Sequence, residues 1–398
     1  VKDGRLSVLL VGNYANDQSY SMNKFASMME SSLASMGLEV ILLRPPVFFG
    51  KICRSYSGLG KWLGYLDKYI VFPLSVWWMK MKGEINADKW VVHICDHSNA
   101  PYAYLFKRFP LVQTCHDLLA VRAALGDIPG EKIRATGRLL QKCILESLKK
   151  ISKIACDSLA TMGDCQRLLG SSQPDMQLIF VGMNYAYRPM DKIERSGILR
   201  TIYKGADIGE ERYLVHVGSA AWYKNRCGLF KIYGELKKIM EWTPRLVLVG
   251  GDFTAQEKDL VCGIGIGENI IHLQRLSDME MNALYSGAAA LVFPSLHEGF
   301  GWPVVEAQAS GCKVLASGRS SLLEAGGNSV SYIDPEDYCE TAAKLKVLLG
   351  ESPSESESRI KSGFENISRF SVVAMTEKYI RLYKDAILEK QGFKRCVA

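Results

Sequence analysis

Phe293-Pro-Ser-Leu-His-Glu-Gly-Phe-Gly-Trp-Pro-Val-Val-Glu-Ala-Gln-Ala-Ser-Gly311 closes an apolar run, Ala289 to Phe293, with a turn that holds Gly299 and Gly301. A helix is expected from about Pro303, because proline suits the first helical turn. Strand, glycine turn and helix in that order make a βα unit of a parallel sheet. The free N–H groups of such a helix start face the turn and can hold a diphosphate. Gly299 and Gly301 let the backbone approach a ligand closely. Glu298 in the turn and Glu306 in the helix stand eight positions apart, a spacing that reaches different parts of one extended ligand.

The same opening recurs at the head of each half. Leu6 to Gly12 and Tyr213 to Gly218 are apolar runs closed by glycine, followed by helical patterns at Ser21 to Met36 and Cys227 to Met240. Further strand-like runs are Glu39–Leu43, Trp90–Cys95, Leu111–Thr114 and Lys153–Cys156, then Leu246–Val249, Ile270–His272 and Lys313–Ala316. Helical patterns between them predict α/β architecture with doubly wound domains. The expected boundaries are 1–188 for an N-terminal Rossmann-like domain, 189–212 for a linker and hinge, and 213–371 for a C-terminal one. A C-terminal helix follows at 372–398, with its return to the N-terminal domain left open. Gly350 to Glu357, rich in Ser and Glu, reads as an exposed loop.

With 398 residues the chain is too long for one core. No apolar run reaches the roughly 18–20 residues of a membrane span, and Val1 to Val11 does not read as a signal peptide. The eleven cysteines form no C-x-x-C pair. Thiols scattered through apolar patterns point to a reducing, cytoplasmic compartment and away from zinc. Residues 1–190 carry 23 Lys/Arg against 15 Asp/Glu, whereas the remainder carries 26 against 27. All the excess positive charge is therefore in the first half. It marks either an anionic partner (lipid phosphate, membrane surface or acidic glycan) or a solvated basic surface. Nothing in the charge pattern matches a nucleic-acid-binding motif. Gly58 to Lys82 is rich in aromatics and lysines. It reads either as an amphipathic element on a membrane or as a helical excursion packed on the N-terminal domain.

The Glu298/Glu306 segment resembles the Glu-x7-Glu signature of retaining GT-B glycosyltransferases of family 4, among them sucrose synthases and bacterial mannosyltransferases. The resemblance implies two doubly wound Rossmann-like domains facing across a cleft. The donor would lie on the C-terminal domain and the acceptor on the N-terminal one. It gives Glu298 the donor sugar's hydroxyls and Glu306 the ribose. Backbone groups of Gly299, Phe300, Gly301, Trp302, Pro303 and Val304 would surround the sugar and diphosphate. Lys224 matches the family's diphosphate lysine. Ser219, just after Gly218, stands where the family has an arginine, and Arg226 is the candidate replacement. His116 resembles the family's histidine facing the donor sugar. Asp117 either orients that imidazole or caps the next turn. Gly250 and the Arg275-Leu276 loop resemble nucleotide-binding loops. Gly12, Asn13 and Tyr14 resemble the loop near the acceptor, and Asp96 and His97 end a strand on the same side of their sheet.

No Asp-x-Asp occurs in the sequence, so the resemblance implies a reaction without metal or other cofactor. The expected donor is a GDP-mannose-like nucleotide sugar, a UDP-sugar coming next, and the acceptor a glycan or lipid-linked glycan. Three alternatives remain: an inverting transferase of the same fold, a phosphorylase, and a catalytically silent nucleotide-sugar-binding or scaffolding protein.

Overall fold

The computed structural model describes residues 6–17, 19–52, 59–128, 131, 133–170, 174–203, 208 and 212–397. The expected readings at 1–5, at Gly58 and over 204–207 and 209–211 lie outside these residues. The chain forms two compact units, one of residues 1–184 with 372–398 and the other of residues 185–371.

The first unit is built on β1 (Ser7–Val11), β2 (Glu39–Leu43), β3 (Trp90–Ile94), β4 (Leu111–Cys115), β5 (Lys153–Cys156) and β6 (Asp175–Leu178). They pair in the order β2-β1-β3-β4-β5-β6, parallel throughout. Every residue of β1 and β3 is buried, as expected of parallel strands covered on both faces. Leu9, Val92, Ile94 and Ile154 join Phe72, Phe106 and Leu148 in one core. Helix Val372–Val397 belongs to this unit. Its Tyr379 and Tyr383 hydroxyls lie 2.8 Å from Thr114 Oγ1 and 2.7 Å from His93 Nδ1, and Thr376 lies 2.6 Å from Ser32.

The second unit carries β7 (Tyr213–Val217), β8 (Arg245–Val249), β9 (Ile270–Leu273), β10 (Ala290–Phe293), β11 (Val314–Ser317) and β12 (Ser331–Ile333). Their order is β12-β11-β10-β7-β8-β9, which within the unit is the doubly wound 3-2-1-4-5-6 arrangement read from the far edge. The order reverses between β7 and β10, which pair through Leu214 and Val215. Ligands of open α/β sheets bind outside the strand ends at such a point.

Two expectations are corrected. The stretch 350–357 is not a loop, because helix Pro353–Ile367 begins inside it with a complete capping box between Ser352 and Glu355. The stretch 189–212 is not a bare linker. It contains helix Lys192–Ile202, capped by Asp191, which groups with the second unit.

Candidate active site

At the end of β7 the chain makes a short turn, Trp222–Lys224, and then enters helix Arg226–Ile239 through Asn225. Asn225 has φ 54°, a left-handed conformation that asparagine tolerates better than most residues. Its side chain caps the helix at Gly228 and donates to Pro294 O at 3.1 Å and Pro335 O at 3.2 Å. The Leu296 N–H donates to Tyr223 O at 2.7 Å. These bonds fasten the turn after β7 to the loop after β10, and Lys224 reaches Glu298 as a result. Its Nζ lies 2.8 and 2.9 Å from the two carboxylate oxygens, and both side chains are largely buried. Ser320 and Ser321 donate to the Glu298 carbonyl at 2.8 and 2.9 Å, so backbone and side chain of Glu298 are both held.

Helix Trp302–Ala309 opens on Gly301, whose φ of 106° favours glycine. A Cβ there would also stand 2.6 Å from Leu322 Cδ2. The Val304 N–H already donates to Gly301 O at 3.0 Å, so in this state it is not open to a phosphate, contrary to the expectation for the whole 299–304 run. Phe300 is buried against Phe370, whereas Trp302 and Pro303 are half-buried at the helix start. Glu306 is buried and accepts from Tyr285 Oη at 3.1 Å. Burial and the Glu306 charge hold the Tyr285 hydroxyl far above its ordinary pKa, in its donor form.

Gly218 and Gly250 floor this end of the sheet. A Cβ on Gly250 would come 1.9 Å from Gly218 O, which only glycine avoids. Next to them His216 donates through Nδ1 to Val292 O, 2.9 Å away; since a carbonyl only accepts, Nδ1 carries the proton. Burial pushes its pKa down to about 3, so it is neutral. Arg275, at φ 55°, is exposed, and Leu276 is half-buried beside the capping box of Ser277 and Glu280.

Arg226, the candidate replacement for the arginine missing at Ser219, is engaged within its own unit. Its guanidinium is buried, pairs with Glu257 at 3.0 Å, donates to Gly251 O at 2.9 Å and stacks over Phe253. Burial draws its pKa down, with Glu257 acting against that. Glu257 cancels its charge. Ser219 is exposed, its hydroxyl accepting from the Ala221 N–H at 3.4 Å.

In the first unit, Asn13 and Asp96 end β1 and β3, where that sheet's order reverses. The Asn13 amide donates to Asp96 and accepts from Asn99 Nδ2 at 3.2 Å. Asp96 also accepts from the Ser98 backbone and hydroxyl at 3.1 and 2.7 Å. His97 Nδ1 lies 3.1 Å from Asp96 Oδ1. Burial works to lower the His97 pKa, but the Asp96 charge outweighs it and the imidazole is pushed up to about 9. Gly12 packs tightly under Leu42.

Two expected acceptor-side or catalytic side chains are committed elsewhere. Tyr14 is fully buried, its hydroxyl donating to Asp67 at 2.7 Å. His116 is buried with both nitrogens engaged, Nε2 donating to Cys95 O and Nδ1 facing Asp157 Oδ2, each at 2.9 Å. Burial lowers its pKa, and the Asp157 hydrogen bond and charge outweigh burial to raise it. Its imidazole has no nitrogen to spare for a substrate in this state. Asp117 does not orient it. It caps the next turn, accepting from the Leu119 N–H at 2.9 Å, and Asp157 is the orienting carboxylate. Sequence reasoning missed Asp157, Glu257 and Tyr285. Asn225 was the one with a local signal, an Asn directly before a helical pattern.

Residues 200–364 match the sequence model of a family described as Glycosyl transferases group 1. An O-antigen chain mannosyltransferase of Salmonella typhimurium is 32% identical over 139 residues, covering 34% of this chain and 38% of that protein. An O-antigen chain mannosyltransferase of Escherichia coli is 26% identical over 251 residues, covering 62% of this chain and 64% of that protein. These matches thus span less than two thirds of the relatives' length. Among solved structures, sucrose-phosphate synthase from Thermosynechococcus elongatus superposes with a TM-score of 0.74 at 18% identity, over 97% of this chain and all of that one. Anabaena HepE in complex with UDP and glucose gives 0.68 at 13% identity, over 95% and 99%. The strand orders and these likenesses agree: the chain has the GT-B fold, two Rossmann-like α/β domains in one polypeptide.

Proposed function

We propose that the chain is a retaining glycosyltransferase that moves a sugar from a nucleotide-sugar donor on the second unit to a glycan or lipid-linked glycan acceptor on the basic first unit. GDP-mannose or a related GDP-sugar is the first donor candidate, since the relatives above are mannosyltransferases, and UDP-sugars come next. The observation that carries the reading is the Lys224–Glu298 pair at the switch point of the second sheet. In the reaction the anomeric C–O bond to the diphosphate breaks as one to the acceptor oxygen forms, and the acceptor hydroxyl's proton passes to the departing phosphate oxygen. The leaving diphosphate gains charge in that step. Lys224, preorganised by Asn225 and freed from Glu298 as the donor enters, offsets that charge without a metal ion. Glu298 then turns to the sugar hydroxyls, and Glu306, steadied by Tyr285, takes the ribose. A reducing, cytoplasmic setting suits this chemistry and the free thiols.

The test is calorimetric titration with GDP, UDP, ADP and dTDP, without metal and with chelator present. Tight binding of one nucleotide is expected, weakened more than about tenfold by Glu306→Ala, the loss of roughly one charged hydrogen bond. Glu298→Ala should instead lower turnover by about 10²–10³, with the product anomer, read by NMR, retained. Wild-type behaviour of both variants would refute the site.

A second reading, a nucleotide-sugar-binding protein without transfer, is favoured by one observation. Ser219 adds no cation after β7, Arg226 is paired with Glu257, and Lys224 is itself paired with Glu298. Nucleotide-sugar binding with neither transfer nor slow hydrolysis would select it.

A further inference from the structure

The helical stretch from Leu59 to Met81 runs through Leu59–Leu66, a π-helical turn at Asp67–Val71, and Phe72–Met81. Its inward face is well anchored. Phe72 and Val76 are in the core, and Phe72 packs on Tyr102 with ring centres 4.7 Å apart. Asp67, fully buried, accepts the N–H groups of Phe48, Phe49 and Gly50 at 3.1, 2.9 and 2.9 Å besides the Tyr14 hydroxyl. The sequence offered two readings for this stretch, and packing on the domain accounts for this face alone.

The outward face is also apolar. Trp62, Leu66, Ile70, Leu74, Trp78 and Met81 are between 37% and 67% exposed, although large side chains of this kind on a solvated helix face are normally polar. Their spacing of four, four, four, four and three makes one continuous row. In a pure α-helix a repeat of four drifts around the axis; the wider π turn in the middle brings the row back into line. A contiguous apolar strip of this length marks a contact surface, whereas isolated exposed residues do not.

Charge narrows the choice of partner. Between residues 59 and 83 the single acidic residue is Asp67, which is turned inward. Lys61 and Lys82 are exposed at the two ends of the row. Beside its C-terminal end lies a cavity of about 700 Å³ lined by Lys80, Lys107, Arg108 and Lys390, with Asp88 as its one acidic lining residue. Lys80 sits in the last turn of the helix, and burial and the Arg108 charge together pull its pKa down. Lys80 donates to Leu105 O and Lys390 to Lys107 O at 2.9 Å, while Lys107 and Arg108 are exposed at the rim; the excess of cations over the one carboxylate suits an anion.

We propose that this face lies on an anionic lipid bilayer. The Trp62–Met81 row enters the boundary between headgroups and acyl chains, and the cavity at Lys80, Lys107 and Arg108 takes a phosphate-bearing headgroup. Trp at the interface, Lys stems lying along it and an amphipathic helix parallel to it are the favoured geometry there. Cations within a Debye length of the surface strengthen the attraction. No helix among the described residues is long and apolar enough to cross a membrane; the contact lies in the interface plane.

The experiment is flotation of the full chain with vesicles of phosphatidylcholine alone or mixed with phosphatidylglycerol, alongside tryptophan emission. Flotation with the mixed vesicles and a blue shift quenched by brominated lipid are expected. Leu74→Glu/Trp78→Glu should lower partition at least about tenfold, by placing charge at the apolar boundary. Lys107→Glu/Arg108→Glu should weaken binding to the mixed vesicles at low salt, with a smaller loss at high salt. Both variants alter exposed side chains, and an unchanged thermal midpoint excludes misfolding as the cause. Absence of flotation with mixed vesicles, or equal flotation by wild type and Leu74→Glu/Trp78→Glu, would overturn the proposal. So would a dimer in solution that the same variant dissociates, since the row would then face a second copy of the chain.

Discussion

Arg226 shows how much a residue's meaning depends on what it meets. A cation at the first position of a helix, two residues after Lys224, reads as a diphosphate ligand until Glu257 is seen beside it. Both side chains of that pair are almost fully buried, so removing one strands the other. Arg226→Ala should therefore destabilise the second unit by about 3 kcal/mol, read from urea midpoints. The double variant Arg226→Met/Glu257→Leu should recover most of that loss and keep wild-type nucleotide affinity. A double variant that is stable but fails to bind nucleotide would return Arg226 to the donor site. Glu257 lies 31 positions from Arg226, and nothing local links them. The same holds for His116 and Asp157, which meet because β4 and β5 pair in register, Cys115 opposite Cys156, so that the next residue of each strand is also opposed. Lys224 and Glu298 each follow a strand in a recognisable βα opening and could be singled out one at a time, but their pairing across 74 positions was no more visible than the other two.

His97 carries a pH signature at the same scale. Its folded pKa is raised to about 9 from an ordinary 6.5, burial opposing and Asp96 prevailing. A raised histidine stabilises the fold fully below its unfolded pKa and ceases to do so as pH climbs through the folded one. The contribution should thus be present below about pH 6.5 and fade by about pH 9, a loss on the order of 3 kcal/mol. Urea midpoints across that window should fall for the wild type and change less for His97→Gln. Identical slopes for the two proteins would show that the Asp96–His97 pair does not hold its proton in the folded state.

At the scale of elements, apolar runs located the central strands and the edge strands β2 and β9, and missed the edge strands β6 and β12. β6 (Asp-Met-Gln-Leu) is exposed or half-buried throughout, and β12 spans three residues, so neither carries the continuous apolar signal of a strand covered on both faces. The misreading of 350–357 has a different origin. Ser and Glu were weighed as loop composition, although Ser352, Pro353 and Glu355 are the cap, first-turn proline and capping-box partner of a helix start. Ser352→Ala removes the acceptor for the Glu355 N–H and should lower the stability of the second unit by about 1 kcal/mol, measured by thermal unfolding. Ser352→Asp, which restores a capping oxygen, should recover most of it; equal loss in both variants would mean that the cap contributes nothing and Pro353 alone sets the helix start.

At the scale of the whole molecule, the chain leaves the first unit near residue 184 and comes back to it at Val372. The return is specific as well as apolar. His93 sits fully buried on β3 between Tyr383 and Thr114, with Tyr379 closing the set and its ring stacked 4.9 Å from the imidazole. Burial pushes the His93 pKa down to about 3, so the ring is neutral. One of its nitrogens donates and the other accepts, and each needs its hydroxyl partner. Tyr383→Phe keeps the ring packing and deletes one of those partners, leaving Nδ1 buried without a hydrogen bond. That should cost about 1–3 kcal/mol. Two units with separate cores are expected to unfold in separable steps, so calorimetry should show one transition moving down and the other staying where it is. Tyr379→Phe, which leaves His93 with both its hydroxyl partners, should shift the same transition less. If Tyr383→Phe moved both transitions equally, the two units would be unfolding as one, and the C-terminal helix would be a determinant of the entire fold as well as the last layer of the first unit.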